Sequence, residues 1–436
     1  MSIPVVTVGD SGEDLVGRLE RLHGPVSVVR RCSELAELLA ACQGGLARAA
    51  VVAEGSEDLT ASLVDRLSAV GVAVLALTDS PEENVRLRGI GVAAEVTGVD
   101  AAALAYRIAG AVALLAGTDP PRHGDTPGGA GAGPAPGPSG GTVEGWPERS
   151  PAGQIIAVWG PAGSPGRTML AANMAAELAA EGKSVLLVDA DSYGASVAAM
   201  LGLLDEAAGL AQACRMADQG LLDAEALLRI AAPVATRTGT FRVLTGITRA
   251  GRWTELRAAA LSLVLTKARE IVDVTVIDTG FCLESDEELS FDSMAPRRNA
   301  ATLRSLEMAD TVFAVGAADS IGVPRLVRGL AELESALPQV SPRVVLNKVR
   351  QSAVGRSPER QLREAWERYG PTVPLSAFLP ADPAASDAAL LSGSLLLEAA
   401  PDSPLRMGIA ALVCAPVQRN HRSSVFSSTA KRRLKG

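Results

Sequence analysis

The fold of this chain is decided by residues 154–194, QIIAVWGPAGSPGRTMLAANMAAELAAEGKSVLLVDADSYG. The run opens with an apolar stretch, IIAVW, and continues through a turn rich in glycine and proline. Leu170, Met174 and Leu178 then recur at the spacing of one helix face. A second apolar stretch, VLLVDAD, closes the run. The pattern predicts strand, turn, helix and strand in an α/β fold with a mostly parallel sheet.

The turn is similar to a phosphate-binding loop, GxxxxGK[ST], in which backbone N–H groups at a helix N-terminus surround phosphate oxygens. The aligned octet is PAGSPGRT, residues 161–168, which lacks the first glycine and carries arginine in place of lysine. We expect Thr168 to offer its hydroxyl to Mg²⁺. The residues expected to face the phosphates are Gly163, Ser164, Gly166, Arg167, Thr168 and Met169.

Acidic side chains end two of the apolar runs that follow the turn. Asp189 and Asp191 end VLLVDAD, and Asp278 ends the later run VTVIDTG at 274–280. Because the carboxyl ends of parallel strands meet at one edge of a sheet, these side chains are expected near the turn. Asp189 and Asp278 are therefore predicted beside Mg²⁺, in its outer shell.

These motifs, in this order, resemble the MinD/ParA ATPases, whose deviant Walker A loop reads xKGGxGK[ST]. The resemblance runs through most of 154–400 and implies a P-loop NTPase domain that binds ATP and Mg²⁺. It implies that Asp191 orients the attacking water and that Asp278 is the Walker B carboxylate. The run RVVLNKV at 343–349 resembles the adenine-side strand, which places Asn347 beside the nucleotide.

The departures from that family concern the charge around the phosphates. The family's signature lysine aligns with Ala162, the loop lysine is Arg167, and Pro165 has no N–H to donate. One missing donor of this kind costs roughly 2.7–4 kcal/mol of transition-state stabilisation. We expect ATP to bind and to be hydrolysed slowly or not at all, with Arg167 as the catalytic cation. Two arginine pairs, 297–298 and 249 with 252, are candidates to replace the missing lysine.

The first 116 residues carry a separate α/β pattern. Short apolar runs at 4–9, 26–31, 49–55, 72–78 and 93–98 alternate with helical segments, as in a flavodoxin-like sheet. The spacing resembles a response-regulator receiver domain. The third run ends in Ala53 and Glu54 where receivers carry the phosphoacceptor Asp, and Val96 and Thr97 stand where they carry Lys. We expect a degenerate receiver that docks a protein partner.

Four segments follow from these patterns. They are a degenerate receiver-like domain at 1–116, a Gly/Pro-rich flexible linker at 117–153, the MinD/ParA-like domain at 154–416 and a basic disordered tail at 417–436. Further strands of the third segment are expected at 241–247, 311–317 and 372–378. The tail is either a solvated end of the chain or an electrostatic contact with anionic membrane or with an acidic partner.

A degenerate receiver joined to such an ATPase is similar to the CpaE/TadZ proteins, above all to the actinobacterial group also described as septum-site determining. The resemblance implies a nucleotide-dependent homodimer that positions a septum or a pilus or secretion machinery. Two alternatives stay open: a ParA-type ATPase acting on DNA, and a scaffold that keeps the P-loop architecture without binding nucleotide.

Composition excludes several other classes. The net charge is −8, which argues against a chain-wide nucleic-acid surface and makes DNA an improbable partner. Aromatic residues are 3% of the chain, too few for a base-stacking platform. The five cysteines form no CxxC pair, which is typical of reduced thiols in a cytoplasmic protein. The N-terminus shows no basic start followed by a long apolar run, so we expect a cytoplasmic location.

Overall fold

The computed structural model describes residues 2–9, 15–22, 24–117, 153–163, 165–203, 207–284 and 297–414. Predictions made for Ser164, for nearly all of the 117–153 linker and for the 417–436 tail therefore fall outside the described residues. None of the described helices is long and apolar enough to cross a membrane.

The N-terminal sheet has five parallel strands in the order β2-β1-β3-β4-β5. Its strands are β1 Ile3–Val8, β2 Val26–Cys32, β3 Ala49–Val52, β4 Ala73–Leu77 and β5 Ala93–Glu95. Its helices are α1 Leu15–Arg21, α2 Leu35–Gln43, α3 Ala61–Ala69, α4 Pro81–Gly89 and α5 Ala101–Leu115. The strand order and the parallel pairing are consistent with the flavodoxin-like expectation.

The central strands of this sheet are buried on both faces. Every residue of β3 and β4 is buried, which is why their sequences read as continuous apolar runs. Polar residues mark the helix starts: Thr60 caps α3, Ser80 caps α4, and Asp100 accepts two N–H bonds at α5.

The C-terminal sheet has eight strands in the order β13-β12-β11-β6-β10-β7-β9-β8. The strands are β6 Gln154–Trp159, β7 Val185–Ala190, β8 Ala232–Ala235, β9 Thr240–Leu244, β10 Val274–Thr279, β11 Thr311–Ala317, β12 Arg343–Val349 and β13 Leu375–Pro380. All neighbours pair in parallel except β8 and β9, which are antiparallel. A parallel-sheet P-loop domain, as the sequence predicts, is therefore present.

Helices cover both faces of this sheet. They are α6 Arg167–Ala180, α7 Val197–Met200, α8 Gly209–Asp218, α9 Ala224–Ile230, α10 Ala258–Ile271, α11 Ala300–Met308, α12 Gly322–Ala336, α13 Gln351–Val354, α14 Pro358–Tyr369, α15 Pro383–Ser392, α16 Leu396–Ala399 and α17 Pro404–Val413. α6 follows the phosphate loop and is buried along residues 170–179. Glu177 in α6 forms a bidentate ion pair with Arg406 of α17, whose Nε and Nη2 lie 2.7 and 2.9 Å from the two carboxylate oxygens.

Among the strands that differ from the sequence-based expectation are β8 and β13. β8 was not anticipated, because its four residues include Pro233 and alternate between exposed and half-buried positions. Proline is tolerated there since β8 is an edge strand. β13 begins at Leu375 rather than at residue 372, directly after Pro374, which cannot donate to the ladder.

The two sheets contact each other through helices. The carboxylate of Asp218, at the end of α8, accepts the N–H of Ser62 in α3 at 2.7 Å. Arg86 of α4 donates to the carbonyl of Gln219 at 3.0 Å. Gly220 has φ +74°, and a Cβ on it would lie 2.7 Å from the carbonyl oxygen of Arg86. Leu263 of α10 packs against the core of the N-terminal sheet.

Candidate functional site

The turn between β6 and α6 requires glycine at two positions. Gly163 has φ +113° and Gly166 has φ +98°, values that side chains with a Cβ rarely adopt. A Cβ on Gly166 would also lie 2.5 Å from the Nδ2 atom of Asn347. No side chain among the described residues caps the start of α6, so its first N–H groups can bind an anion.

Arg167 is held by the loop itself. Its Nη1 donates to the carbonyl oxygens of Gly160 at 2.9 Å and Pro161 at 3.3 Å. Its Nη2 lies 3.3 Å from a carboxylate oxygen of Asp191, and the two side chains are only 13% and 9% exposed. The guanidinium therefore stabilises the loop and neutralises Asp191 in this conformation, and a bound phosphate would compete for it.

Asp189 and Asp278 stand side by side at the ends of neighbouring strands. The register of β7 and β10 pairs these two residues directly. Asp189 accepts the N–H groups of Val197 at 3.0 Å and Asp191 at 3.3 Å, and burial raises its pKa to about 6. Neither oxygen of Asp278 accepts a hydrogen bond from the described residues. Burial, with the charge of Asp189 beside it, raises the pKa of Asp278 well above the usual range.

This pair of buried carboxylates has the properties of an incomplete cation site. A buried polar oxygen without a partner is costly, and a cation is one of the ways to satisfy it. Thr168 lies near, with its Oγ1 3.2 Å from Oγ of Ser196, and the positive charge of Arg167 acts to lower the pKa of Asp278. Over the described part of the chain, no three acidic, histidine or cysteine side chains converge as a metal cage. Mg²⁺ fits such a site, since it keeps waters and phosphate oxygens as ligands.

Asp191 has both carboxylate oxygens engaged. One accepts the N–H groups of Tyr193 at 2.8 Å and Gly194 at 3.1 Å, which closes a tight turn after β7. The other faces Arg167. The water-orienting role predicted for Asp191 stays a prediction, and it requires release of the arginine.

Asn347 contacts the loop from β12, the second strand from β6 in the sheet. Its amide donates to the carbonyl oxygen of Pro165 at 2.8 Å, and its side-chain oxygen accepts the N–H of Lys348. Beside it lies a cavity of about 660 Å³. Its lining includes Thr168, Met169, Asn347, Pro380, Pro383 and Leu405. Thr168, Met169 and Asn347, all predicted from sequence, thus share one cavity.

A comparison with protein-family models decides the family. The model described as "CobQ/CobB/MinD/ParA nucleotide binding domain" matches residues 156–393, more than half of the chain. The chain belongs to this family. The matched segment contains the phosphate loop, Asp189, Asp278 and Asn347.

The chain is similar to solved structures of the MinD/ParA type. The ParA family ATPase from Chlorobium tepidum TLS is 19% identical, with 60% of this chain and 99% of that chain covered and a TM-score of 0.50. The cell division ATPase MinD from Pyrococcus furiosus is 22% identical, with coverages of 60% and 97% and a TM-score of 0.45. The septum site-determining protein MinD complexed with Mg-ADP from Pyrococcus horikoshii OT3 is 18% identical, with coverages of 60% and 94% and a TM-score of 0.45. The first of these, with a TM-score of 0.50 and 19% identity, shows a shared fold and nothing more. No curated protein sequence matches the chain.

A contact between Arg298 and Tyr193, which follows Asp191 closely in the chain, was not predicted from the sequence. The guanidinium of Arg298 lies 4.0 Å from the ring centroid of Tyr193, whose hydroxyl donates to Asn299 at 2.8 Å. Arg298 is thus stacked on Tyr193, and Arg252 is paired with Glu255 at 2.6 Å. Both arginines, candidates to replace the missing lysine, are engaged in these contacts.

Arg325, in the first turn of α12, also lies beside the phosphate loop and was not predicted from the sequence. Its Nη1 lies 2.5 Å from the point where a Cβ of Gly163 would stand. Its place beside the loop follows from the strand order, because β11 borders β6 and leads into α12. That order is not readable from one sequence.

Proposed function

We propose that this chain is a nucleotide-binding positioning or regulatory protein of the CpaE/TadZ/MinD type. It binds ATP with Mg²⁺ at the loop of residues 160–168 and hydrolyses it slowly or not at all. The observation that carries the proposal is Asp278, a buried carboxylate without a hydrogen bond among the described residues, beside Asp189 and facing the loop. When bound, Mg²⁺-ATP supplies the positive charge that this pair lacks and the anion that the start of α6 favours.

Individual residues support each part of that site. Thr168 offers a hydroxyl to Mg²⁺, and Asp278 and Asp189 hold the waters around the ion. Gly163 and Gly166 let the backbone approach the phosphates, and Asn347 keeps the loop in place through Pro165. Slow turnover follows from alanine at 162, from the missing N–H of Pro165 and from the engagement of Asp191.

The wider role rests on the sequence resemblance. In the proposal the chain forms a nucleotide-dependent homodimer in the cytoplasm, and its N-terminal sheet docks a protein partner as a degenerate receiver. The output is the location of a septum or of a pilus or secretion machinery. The basic tail at 417–436 contacts anionic membrane at the inner face, and DNA is not a partner because the chain is acidic overall.

One observation favours the alternative, a scaffold that keeps the P-loop architecture without nucleotide. Arg167 already bonds Gly160, Pro161 and Asp191 through Nη1 and Nη2, although its buried Nε has no hydrogen-bond partner among the described residues. A bound nucleotide must therefore form contacts with Arg167 that are stronger than the internal contacts it replaces.

Calorimetric titration of the full chain with ATP and with ADP, in Mg²⁺, separates the two candidates. The control is the double variant Arg167→Ala, Thr168→Ala. Micromolar binding that disappears in the control supports the proposed function, and sedimentation with and without nucleotide then measures the dimer. No heat of binding at millimolar nucleotide favours the scaffold.

A further inference from the structure

A cationic side chain lies against the phosphate loop on its β11 side, away from the strands that carry Asp189 and Asp278. It is Arg325, whose Nη1 occupies the space beside Gly163 that a Cβ would need. Any residue other than glycine at 163 would push the guanidinium away, in addition to straining a backbone with φ +113°. The loop backbone and this side chain therefore fit each other.

The backbone that carries Arg325 is held in place by close packing of α12. A Cβ on Gly329, one turn further along, would lie 3.1 Å from the Trp159 ring and 3.4 Å from Cβ of Pro161. A Cβ on Gly322 would lie 2.3 Å from the carbonyl oxygen of Ala317. Small residues thus let the helix lie directly against β6 and the loop, so the arginine extends from a rigid support.

Arg325 differs from Arg167 in having no side-chain partner among the described residues. Within the described ranges it makes no hydrogen bond or ion pair, and it lines a cavity of about 510 Å³ with Gly163, Pro165 and Arg350. The acid in this cavity, Asp319, accepts the N–H groups of Ile321 and Gly322, and the hydrogen bond from Gly322 lowers its pKa. The guanidinium is therefore available to a ligand.

We propose that Arg325 binds phosphoryl oxygens of the nucleotide from the rim of the loop, supplying within the same chain the positive charge absent at position 162. The inference rests on the proposed function, since the ligand is the phosphate chain of ATP. An arginine fork suits phosphate oxygens, and such charge-assisted bonds are among the stronger ones. The guanidinium of Arg325 thereby compensates for the backbone N–H that Pro165 lacks.

The test measures binding of Mg²⁺-ATP and of Mg²⁺-tripolyphosphate by calorimetry to four full-length chains: the unaltered protein, Arg325→Ala, Arg325→Lys and Arg328→Ala. Arg328 is the matched control, an exposed arginine on the same helix that lines the adjacent groove and is not placed against Gly163. Arg325→Ala should raise both dissociation constants by roughly tenfold or more, and Arg325→Lys should recover part of the loss. Arg328→Ala should stay within about twofold.

The outcomes separate this inference from the proposed function. If the unaltered chain binds Mg²⁺-ATP and Arg325→Ala binds it equally well, Arg325 is only solvated and the proposed function stands. Equal weakening in Arg325→Ala and Arg328→Ala would reduce the effect to general electrostatics and overturn the specific role. If the unaltered chain binds neither ligand, both proposals fall. Urea midpoints confirm that the variants fold, which is expected because Arg325 is exposed.

Discussion

Replacement of Asp189 by asparagine should make the protein more stable at neutral pH in the absence of metal. Burial raises the pKa of Asp189 from 3.8 to about 6, a difference of about two units. At 1.36 kcal/mol per unit, this is about 3 kcal/mol of folding free energy. The folded state holds the proton more tightly than the unfolded state, so this contribution is complete below about pH 4 and is lost as the pH rises through about 6.

Asparagine does not ionise, so the variant avoids the folding free energy lost when Asp189 ionises. It also weakens the hydrogen bonds from the N–H groups of Val197 and Asp191, at a cost of about 1 kcal/mol. We therefore expect Asp189→Asn to exceed the unaltered chain by about 2 kcal/mol at pH 7. The assay is urea unfolding of the full chain with EDTA and without nucleotide, at pH 5, 6 and 7. The advantage of the variant should shrink as the pH falls.

Asp273→Asn is the matched control, because Asp273 precedes β10 at the opposite end of the strand from Asp278. Hydrogen bonds from the hydroxyl and N–H of Ser184 lower the pKa of Asp273, so its contribution is present at neutral pH and lost as the pH falls. Asp273→Asn should therefore be less stable than the unaltered chain at pH 7. An Asp189→Asn chain whose stability parallels the unaltered one from pH 5 to 7, or falls below it at pH 7, would refute the reasoning.

Two packing predictions use the same unfolding assay. Glu177→Gln should lower the unfolding free energy by about 1–3 kcal/mol, since Glu177 is buried and loses its two-pronged pair with Arg406. Combined with Arg406→Gln in a double-mutant cycle, the two losses should be less than additive, and full additivity would contradict a direct pair. Gly220→Ala should cost about 1–3 kcal/mol, from positive φ and from the 2.7 Å approach to Arg86. Gly182→Ala, with φ +83° and nothing within 4 Å, should cost only the backbone strain, and equal losses would contradict a packed contact at Gly220.

Local patterns predicted most of the fold. Strands β6, β11 and β12 begin and end where the apolar runs do, because strands buried on both faces need continuous apolar sequence. Asp189 and Asp278 were expected to meet because parallel strands end at one edge of the sheet, and the register pairs them directly. β8 was missed because an exposed edge strand carries no such pattern.

The site was less predictable where contacts cross the chain. Arg325 and Gly163 are adjacent only because β11 borders β6, a neighbour relation that strand sequences do not encode locally. The stacking of Arg298 on Tyr193 joins residues more than 100 positions apart. The motif identified Arg167 and Asp191 separately, but their ion pair depends on side-chain conformations that no spacing specifies.

The bond between Ser62 and Asp218 also bears on how the chain is made. The two residues are 156 positions apart, and Arg86 reaches its partner carbonyl at Gln219 over 133 positions. During synthesis the N-terminal sheet therefore emerges long before the surface that completes the first turn of α3 and covers α4. Until residue 220 has left the ribosome, this face of the nascent domain is exposed to water and to chaperones. Its last contacts form only when the second sheet begins to fold.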